Sequence, residues 1–344
     1  MRVLVLYNWV DEVSKGSEVD KIAVNEVKDT SESIKRVLEK KGHVVTTEAV
    51  EKADLSNLKE RCDFVFNLAE GYGDDNLAEA KIAEDIRKSG VPFSGSPPES
   101  LALCVHKDKV KEVMASNGIG TAKYQVMRPG DKLGDGLRFP LIVKPLHEDG
   151  SAGITKESYV RNEDELQFKL KDIYDNFGKQ KSLVEEYIDG QEFNVPLIGN
   201  GDDFTVLPIS EIDFSAYPPD VPRIETYESK WVEGTFTFDN TKPKIPAKIS
   251  KELEEELIDV SKKAFALCKC ADYARMEFRV RKGMGKDGQE NPEVFLIEVN
   301  PNPCLTEWEG RLYMSALAVP MTYDEMIMLI FDASLKRQGV RAKQ

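Results

Sequence analysis

The N-terminal stretch constrains the fold more tightly than any other part of the chain. "RVLVLYNW" is an apolar run of strand length, Val27 to Lys41 is an amphipathic helix stopped by Gly42, "HVVTTEAV" is a second strand and "CDFVFNLAE" a third. Strand, helix and strand in that order make a βαβ unit, hence a small parallel sheet with helices on its faces. A helix over Leu77 to Lys88, closed by Gly90, follows. Then comes "VPFSGSPPES", rich in proline and serine, which reads as a junction between domains near residue 100.

Beyond the junction the pattern changes. A helix over Lys107 to Asn117 ends at Gly118, "FPLIVKP" is a strand, and "SYVRNEDELQ" is a strand leading into a helix. "KSLVEEYIDGQEFNVPLIG" reads as two strands broken at Asp189-Gly190. The last third holds strands at "TVLPISEID", "YARMEFRV" and "EVFLIEVN", with helices over Lys251 to Cys268 and Tyr323 to Arg337. At 344 residues and 41% hydrophobic the chain is too long for one simple core, so two or three domains are expected.

Several function classes fall away. A formal charge of −14 opposes nonspecific binding to nucleic acid or acidic membranes, and no apolar run nears the roughly 20 residues of a membrane helix. Five cysteines without regular spacing imply no disulfide framework, and "MRVLVLYNWVDEV" lacks the parts of a secretory signal, so a cytoplasmic location is expected. His43, His106 and His147 lie too far apart in sequence to suggest a multi-histidine zinc site. Cys268 and Cys270 read as core and surface neighbours on a helix rather than as ligands. The first strand is not followed by a glycine-rich turn, and no G-x-x-x-x-G-K-[ST] run occurs, which removes the two commonest phosphate-binding fingerprints. "GMGKDG", Gly283 to Gly288, sits between two strands and reads as a hairpin tip.

What remains is a scattered constellation. "EVFLIEVNPNPCL" begins as an apolar strand and ends on Glu298, Val299 and Asn300, after which Pro301 and Pro303 forbid its continuation. Alternation sends Glu298 and Asn300 to one side, two oxygen-bearing groups aimed at one place. The alternative is a polar strand end in solvent. Lys144 ends "FPLIVK" and precedes "HEDGSAGI", where Gly150, Ser151, Ala152 and Gly153 let backbone N–H groups approach phosphate oxygens. "LVEEYIDGQEF" supplies Glu185 to Glu192 as acceptors for an adenine amine and ribose hydroxyls, "YESKW" supplies Lys230, and "ARMEF" supplies Arg275 and Glu277. Cations gather where phosphates would lie. Glu277, Glu298 and Asn300 gather as oxygen ligands for magnesium, with manganese as an alternative.

"FPLIVKPLHEDGSAGI", "LVEEYIDGQEF", "YESKW", "ARMEF" and "LIEVNPNPCLT" occur in the order and approximate spacing of the D-alanine–D-alanine ligases of the ATP-grasp superfamily, and "GVPFSGSPPESLALCVHKDK" resembles the segment that enters their central domain. The resemblance covers most of the chain and thins in the first 60 residues. It implies an α/β (α+β) ATP-grasp fold in three domains: a Rossmann-like βαβ domain over 1–100, a central subdomain over 101–187 and a C-terminal subdomain over 188–344, with ATP between the last two. It implies phosphate contacts from Lys107 and Lys144, with Lys109 competing with Lys107. Ser151 lies in the glycine-rich loop. Adenine contacts would come from Glu185 and the backbone of Glu186 and Ile188, and Glu192 would take the ribose. Lys230 would reach the terminal phosphate from a closing loop. The activity implied is an ATP-dependent, ADP-forming carboxylate–amine ligation through an acyl phosphate, with small-molecule acid and amine substrates, amino acids among them. Arg275, on the same strand face as Glu277, would stabilise the oxyanion. The state of assembly is open, a homodimer included.

Departures from the pattern fall in the amino-acid pockets. Cys304 stands where the family has a glycine whose N–H faces the intermediate, Glu309 where a serine helps hold the acceptor carboxylate, Trp231 for a tyrosine, and Glu70 for a histidine. Glu309, with Glu307, Asp74, Asp75 and Glu70 nearby, would repel a carboxylate, so an acceptor with a neutral or basic far end is expected. An authentic D-alanine–D-alanine ligase and an ATP-binding regulatory module on the same fold are the alternatives.

Overall fold

The computed structural model describes residues 1–10, 15, 26–72, 75–283, 291–307 and 310–340. Glu309, Asp74 and most of "GMGKDG" lie outside these.

Three sheets succeed one another along the chain. The first contains β1 (Arg2–Tyr7), β2 (Val44–Ala49) and β3 (Phe64–Asn67), all parallel, in the order β2-β1-β3. The crossover helix Val27–Lys40 buries Ile34, Val37 and Leu38, an i, i+3, i+4 stripe, and the chain leaves it through Gly42 at φ +84°. Alternation along the strands gives the sheet two apolar faces. Leu4, Leu6 and Val65 pack on Ile82, Ala83 and Ile86 of the helix Glu79–Ser89. Val3, Val5, Phe64 and Phe66 pack with Ile34 and Leu38, and with Ile327, Ile330 and Phe331 of the C-terminal helix Tyr323–Arg337. The first and last parts of the chain thus share one core. The last helix starts where expected because Thr322 and Glu325 cap it reciprocally, at 3.2 and 2.8 Å.

The second sheet is antiparallel: β4 (Tyr124–Met127), β5 (Leu141–Pro145), β6 (Tyr159–Val160) and β7 (Ser182–Glu186), in the order β4-β7-β5-β6. Leu141, Val143 and Val184 face the helix Glu163–Asn176 through Leu166, Leu170 and Ile173, which leaves Lys144 and Glu185 on the opposite face. The third sheet, also antiparallel, holds β8 (Gln191–Asn200), β9 (Asp203–Val206), β10 (Ser210–Ile212), β11 (Pro243–Lys244), β12 (Tyr273–Arg281) and β13 (Glu293–Asn300), ordered β11-β10-β8-β12-β13 with β9 beside β8. Phe193, Val195, Leu197, Met276 and Phe278 pack on the helices Lys107–Ser116 and Lys251–Leu267. Glu192, Asn194, Arg275, Glu277 and Arg279 alternate onto the other side. The break between β7 and β8 needs Gly190, since a Cβ there would stand 2.2 Å from the Val280 carbonyl oxygen.

Two elements differ from the sequence expectation. "TVLPISEID" is divided into β9 and β10. The passage "VPFSGSPPES", expected as a junction, is packed in the interior: Ser94 and Ser96 are fully buried. Gly95 N donates to Asp272 at 2.9 Å, and Ser96 N donates to Asn302 at 2.8 Å. The small residues are there to let the third sheet and the substrate loop approach. Cys268 and Cys270 are both buried, because the turn after the helix Lys251–Leu267 folds back toward Ser100. Among the described residues no helix is long and apolar enough to cross a membrane.

Candidate active site

The polar faces of the second and third sheets look at each other across a cavity of about 100 Å³ lined by Lys107, Lys144, Glu185, Ile188, Glu192, Lys230, Glu277 and Glu298, among others. A larger cavity of about 400 Å³ continues from it, sharing Glu148, Asp149 and Lys230. Its walls include Glu70, Glu79, Trp231, Arg275, Asn300, Cys304 and Arg311. The residues expected to touch nucleotide therefore surround the smaller space, while Glu70 and Trp231, expected to touch substrate, line the larger; Glu309 is outside the described residues. Ser151 and the backbone of Glu186 and Ile188 are also at the smaller one. Lys107 is in its wall, while Lys109 is exposed and paired with Glu112 at 3.0 Å.

Charges in the smaller cavity are compensated internally. Lys107 Nζ lies 2.8 Å from Glu298 and 3.0 Å from Asp149, and it donates to the Glu148 carbonyl at 2.6 Å. Burial opposes its charge, but the two carboxylates prevail and its pKa is raised. Glu185, 3% exposed, is held between Lys111 at 2.7 Å and Lys144 at 2.5 Å. Burial would push it up; the two lysines overcome that and hold it down at about 2. Its carboxylate is thus engaged by lysines in this structure. Glu192 sits 3.0 Å from Arg279, yet burial dominates, with Glu225 and Glu277 adding repulsion, and its pKa is pushed up to about 7.

Glu277 and Glu298 are directly opposite each other on β12 and β13, as are Arg275 and Asn300. Two carboxylates placed across a strand pair repel unless something cationic lies between or beside them. Here Arg275 reaches Glu277 at 2.5 Å and Lys107 takes Glu298. The Asn300 amide nitrogen lies 3.2 Å from Glu277, and a half-turn of that amide would present a third oxygen. A β-bulge after Glu277 leaves Ile297 out of register, so Leu296 faces the core while Glu298 faces the site. Among the described residues no three His, Cys, Asp or Glu side chains form a ready metal cluster. Two carboxylates and an amide on one strand pair do fit a hard cation that also takes phosphate oxygens.

The lysine loop is docked. Thr226 caps the short helix Tyr227–Trp231 through Ser229 N at 3.2 Å, Trp231 Nε1 donates to the Gly150 carbonyl at 3.0 Å, and Tyr227 N donates to Ile154 at 2.9 Å. Ser151, in the left-handed region at φ +64°, donates its hydroxyl to the Glu225 carbonyl at 3.2 Å. Glu225 itself is buried; it holds Lys230 at 3.0 Å and Arg311 through its other oxygen.

In the larger cavity, burial raises the Cys304 thiol to about 12, so it stays protonated; its sulfur lies 2.9 Å from the Thr306 hydroxyl. Glu70 has open surface toward the cavity, but its carboxyl is crowded by protein and by Asp149 and Glu26, and its pKa is pushed up to about 7. Glu307 turns away to Arg36 at 2.6 Å.

Sequence reasoning missed Lys111, Glu225, Arg279 and Arg311. Lys111 follows Lys107 by one helical turn and Arg279 follows Glu277 at strand spacing, so periodicity could have found both. Glu225 lies in an irregular loop with no pattern to mark it.

The profile of the D-ala D-ala ligase C-terminus family matches residues 113–332. An uncharacterized protein of Sinorhizobium fredii, y4sG, is 34% identical over 274 residues, covering 79% of this chain and 75% of its own. A D-alanine–D-alanine ligase of Clostridium beijerinckii is 25% identical over 310 residues, covering 88% and 91%. The D-alanine–D-alanine ligase from Bacillus anthracis, solved with ATP, superposes with a TM-score of 0.71 at 22% identity, covering 98% of this chain and 99% of that one. The paired sheets, the charged cleft between them and these matches together place the chain in the D-alanine–D-alanine ligase family, as an ATP-grasp ligase of that kind.

Proposed function

We propose that the protein joins a carboxylic acid to an amine, forming ADP, through an acyl phosphate, and that its substrates are other than two D-alanines. The observation that carries this reading is Arg275. It lies on the strand face of Glu277, opposite Asn300, in the wall of the larger cavity, and its buried Nε finds no hydrogen-bond partner among the described residues. A module that only binds ATP has no need of a buried donor aimed at a second cavity; an acyl transfer does.

ATP, as substrate, would bind along the smaller cavity once the lysine loop opens to enlarge it, with its phosphates toward Lys107 and Lys144, its adenine at the backbone of Glu186 and Ile188, and its ribose at Glu192. Glu277, Glu298 and Asn300 would hold magnesium, manganese being the alternative; when bound, the cation neutralises charge on the phosphates. The ion pairs of Glu277 with Arg275 and of Glu298 with Lys107 keep the charges compensated until ligands arrive. Lys230 is then free to exchange Glu225 for the terminal phosphate. Arg275 donates to the oxygen that gains charge as the amine attacks, and removing it should cost about 2.7–4 kcal/mol in the barrier. Cys304 contributes its backbone N–H, not a nucleophilic sulfur, since its thiol stays protonated. Trp231 and Tyr227, bonded to the glycine-rich loop, keep water from the reacting centre.

The same reading divides the chain at residues 100 and 187, the second of these in the turn between β7 and β8. It places the protein in the cytoplasm, in keeping with five free cysteines. The test is a matrix of candidate acids and amines, each pair assayed for ATP consumption with mass detection of product. An amide requiring both partners is expected; ATP binding with no amine-dependent turnover anywhere in the matrix would overturn the reading.

A further inference from the structure

Arg279 stands in the wall of the smaller cavity, two residues beyond Glu277 on β12 and directly opposite Glu192 of β8. It is buried, and its guanidinium fork reaches three separate pieces of the chain. Nη1 donates to the Gly190 carbonyl, in the turn that joins the second and third sheets, at 3.0 Å. Nη2 donates to the Arg223 carbonyl, at the root of the lysine loop, and lies 3.0 Å from Oε2 of Glu192. The ring centres of Tyr187 and Phe214 lie 5.9 and 5.6 Å from its Cζ, so the fork is flanked by aromatic rings as well as bonded.

Glu192 is the partner with an oxygen to spare. Arg279 takes Oε2, while Oε1 bonds to no described residue, in a side chain that borders the cavity. Burial pushes this carboxylate toward its neutral form, and Glu225 and Glu277 push the same way. Arg279 is the strongest influence against them, ahead of Lys230. An ionised carboxylate only accepts hydrogen bonds, whereas a protonated one also donates and can turn its O–H elsewhere. Selective acceptance from a hydroxyl therefore needs a cation that keeps Glu192 ionised and fixes its plane without covering both oxygens. A guanidinium already anchored on two backbone carbonyls meets that need, because it cannot follow the carboxylate when the carboxylate moves. We infer that Arg279 is a positioning residue for nucleotide recognition: it holds Glu192 so that Oε1 accepts from a ribose hydroxyl, and the site thereby selects ATP over its deoxyribose analogues. This rests on ATP occupying the smaller cavity with its ribose at Glu192; it adds the second residue, the oxygen that accepts and the discrimination that follows.

The experiment titrates the full chain by calorimetry with the magnesium complexes of ATP, 2′-deoxy-ATP and 3′-deoxy-ATP, without acid or amine, so that it does not depend on turnover. Wild type is expected to bind at least one deoxynucleotide roughly tenfold or more weakly than ATP, the loss that goes with a missing hydrogen bond to a charged acceptor. Arg279→Gln should raise the Kd of ATP toward that of the deoxynucleotide and bring their ratio near unity. Arg279→Lys, which keeps the charge but not the fork, should recover part of the ratio. Glu192→Gln should erase the same discrimination, and Arg279→Gln added to it should weaken ATP no further, because the arginine acts through the glutamate. A residue that only braced the Gly190 turn and the loop root would weaken all three nucleotides alike, with or without Glu192; that result would overturn the inference. So would equal binding of all three by wild type, a readout independent of how any variant folds, and it would leave ATP binding standing. No binding of any nucleotide would overturn both the inference and the assignment of the cavity to ATP.

Discussion

Glu185 shows how a single side chain can anchor the site. It is buried between Lys111 and Lys144, which hold its pKa at about 2 against an ordinary 4.5. A carboxylate depressed in the folded state contributes stability that is present above its unfolded value and lost as pH falls toward the folded one. The shift corresponds to about 3 kcal/mol. Urea titrations should therefore find the protein losing stability between about pH 4.5 and pH 2, and Glu185→Gln, which leaves two buried lysines unpaired, should cost roughly 3–5 kcal/mol at neutral pH. A variant as stable as wild type would show that the lysines do not depend on it. Asn300 makes the opposite kind of prediction. Half-buried at a strand end, its side chain bonds among the described residues to neighbours across the sheet. Asn300→Ala should keep the thermal midpoint within a few degrees yet lose magnesium-dependent turnover roughly a hundredfold or more; unchanged activity at ordinary magnesium would remove Asn300 from the metal set.

At the scale of elements, the lysine loop decides access. The helix Tyr227–Trp231 is seated on the glycine-rich loop by bonds from Tyr227 and Trp231, both in the wall of the larger cavity. Such a segment has to open for ATP and close over it. Hydrogen exchange across 224–238 should slow when ATP is added, and exchange indifferent to ATP would contradict a closing role. Much of this was legible in the sequence. The βαβ start, the helix Tyr323–Arg337 and the break at Gly190 follow from local periodicity and turn chemistry, and the strand faces of β8 and β12 from alternation. What the sequence hid has a common cause: it depends on partners far along the chain. The bulge that leaves Ile297 out of register arises from pairing with β12, and the burial of "VPFSGSPPES" from contacts with Asp272 and Asn302. Glu225 acquires its role only because the loop folds onto both Lys230 and Arg311.

For the whole molecule, Asp272 is the principal tie among these contacts. Fully buried and in the left-handed region at φ +67°, it accepts from Gly95 N at 2.9 Å, Asn200 at 3.0 Å, Ser334 at 2.8 Å and Arg337 at 2.8 Å. It thereby joins the passage after the first sheet, the third sheet and the C-terminal helix, all behind the substrate loop. Asp272→Ala should destabilise the protein by roughly 3–5 kcal/mol, seen as a lowered thermal midpoint, because Arg337 loses its carboxylate; a midpoint unchanged from wild type would mean that the sheets hold one another without it. At this scale the proposed reaction rests on two cavities that share Lys230, the smaller assigned by the proposal to the nucleotide and the larger to the substrates. In the proposed reaction phosphate passes from ATP to an acid and is then displaced by an amine. The direct measurement is to supply the donor acid with both carboxylate oxygens as oxygen-18, run the ligation with ATP and the amine, and weigh the inorganic phosphate released. One oxygen-18 per phosphate is expected, carried over when the acyl–oxygen bond breaks. Unlabelled phosphate, released while the amide forms or while both heavy oxygens stay on the unreacted acid, would contradict the acyl phosphate and the ligase mechanism with it.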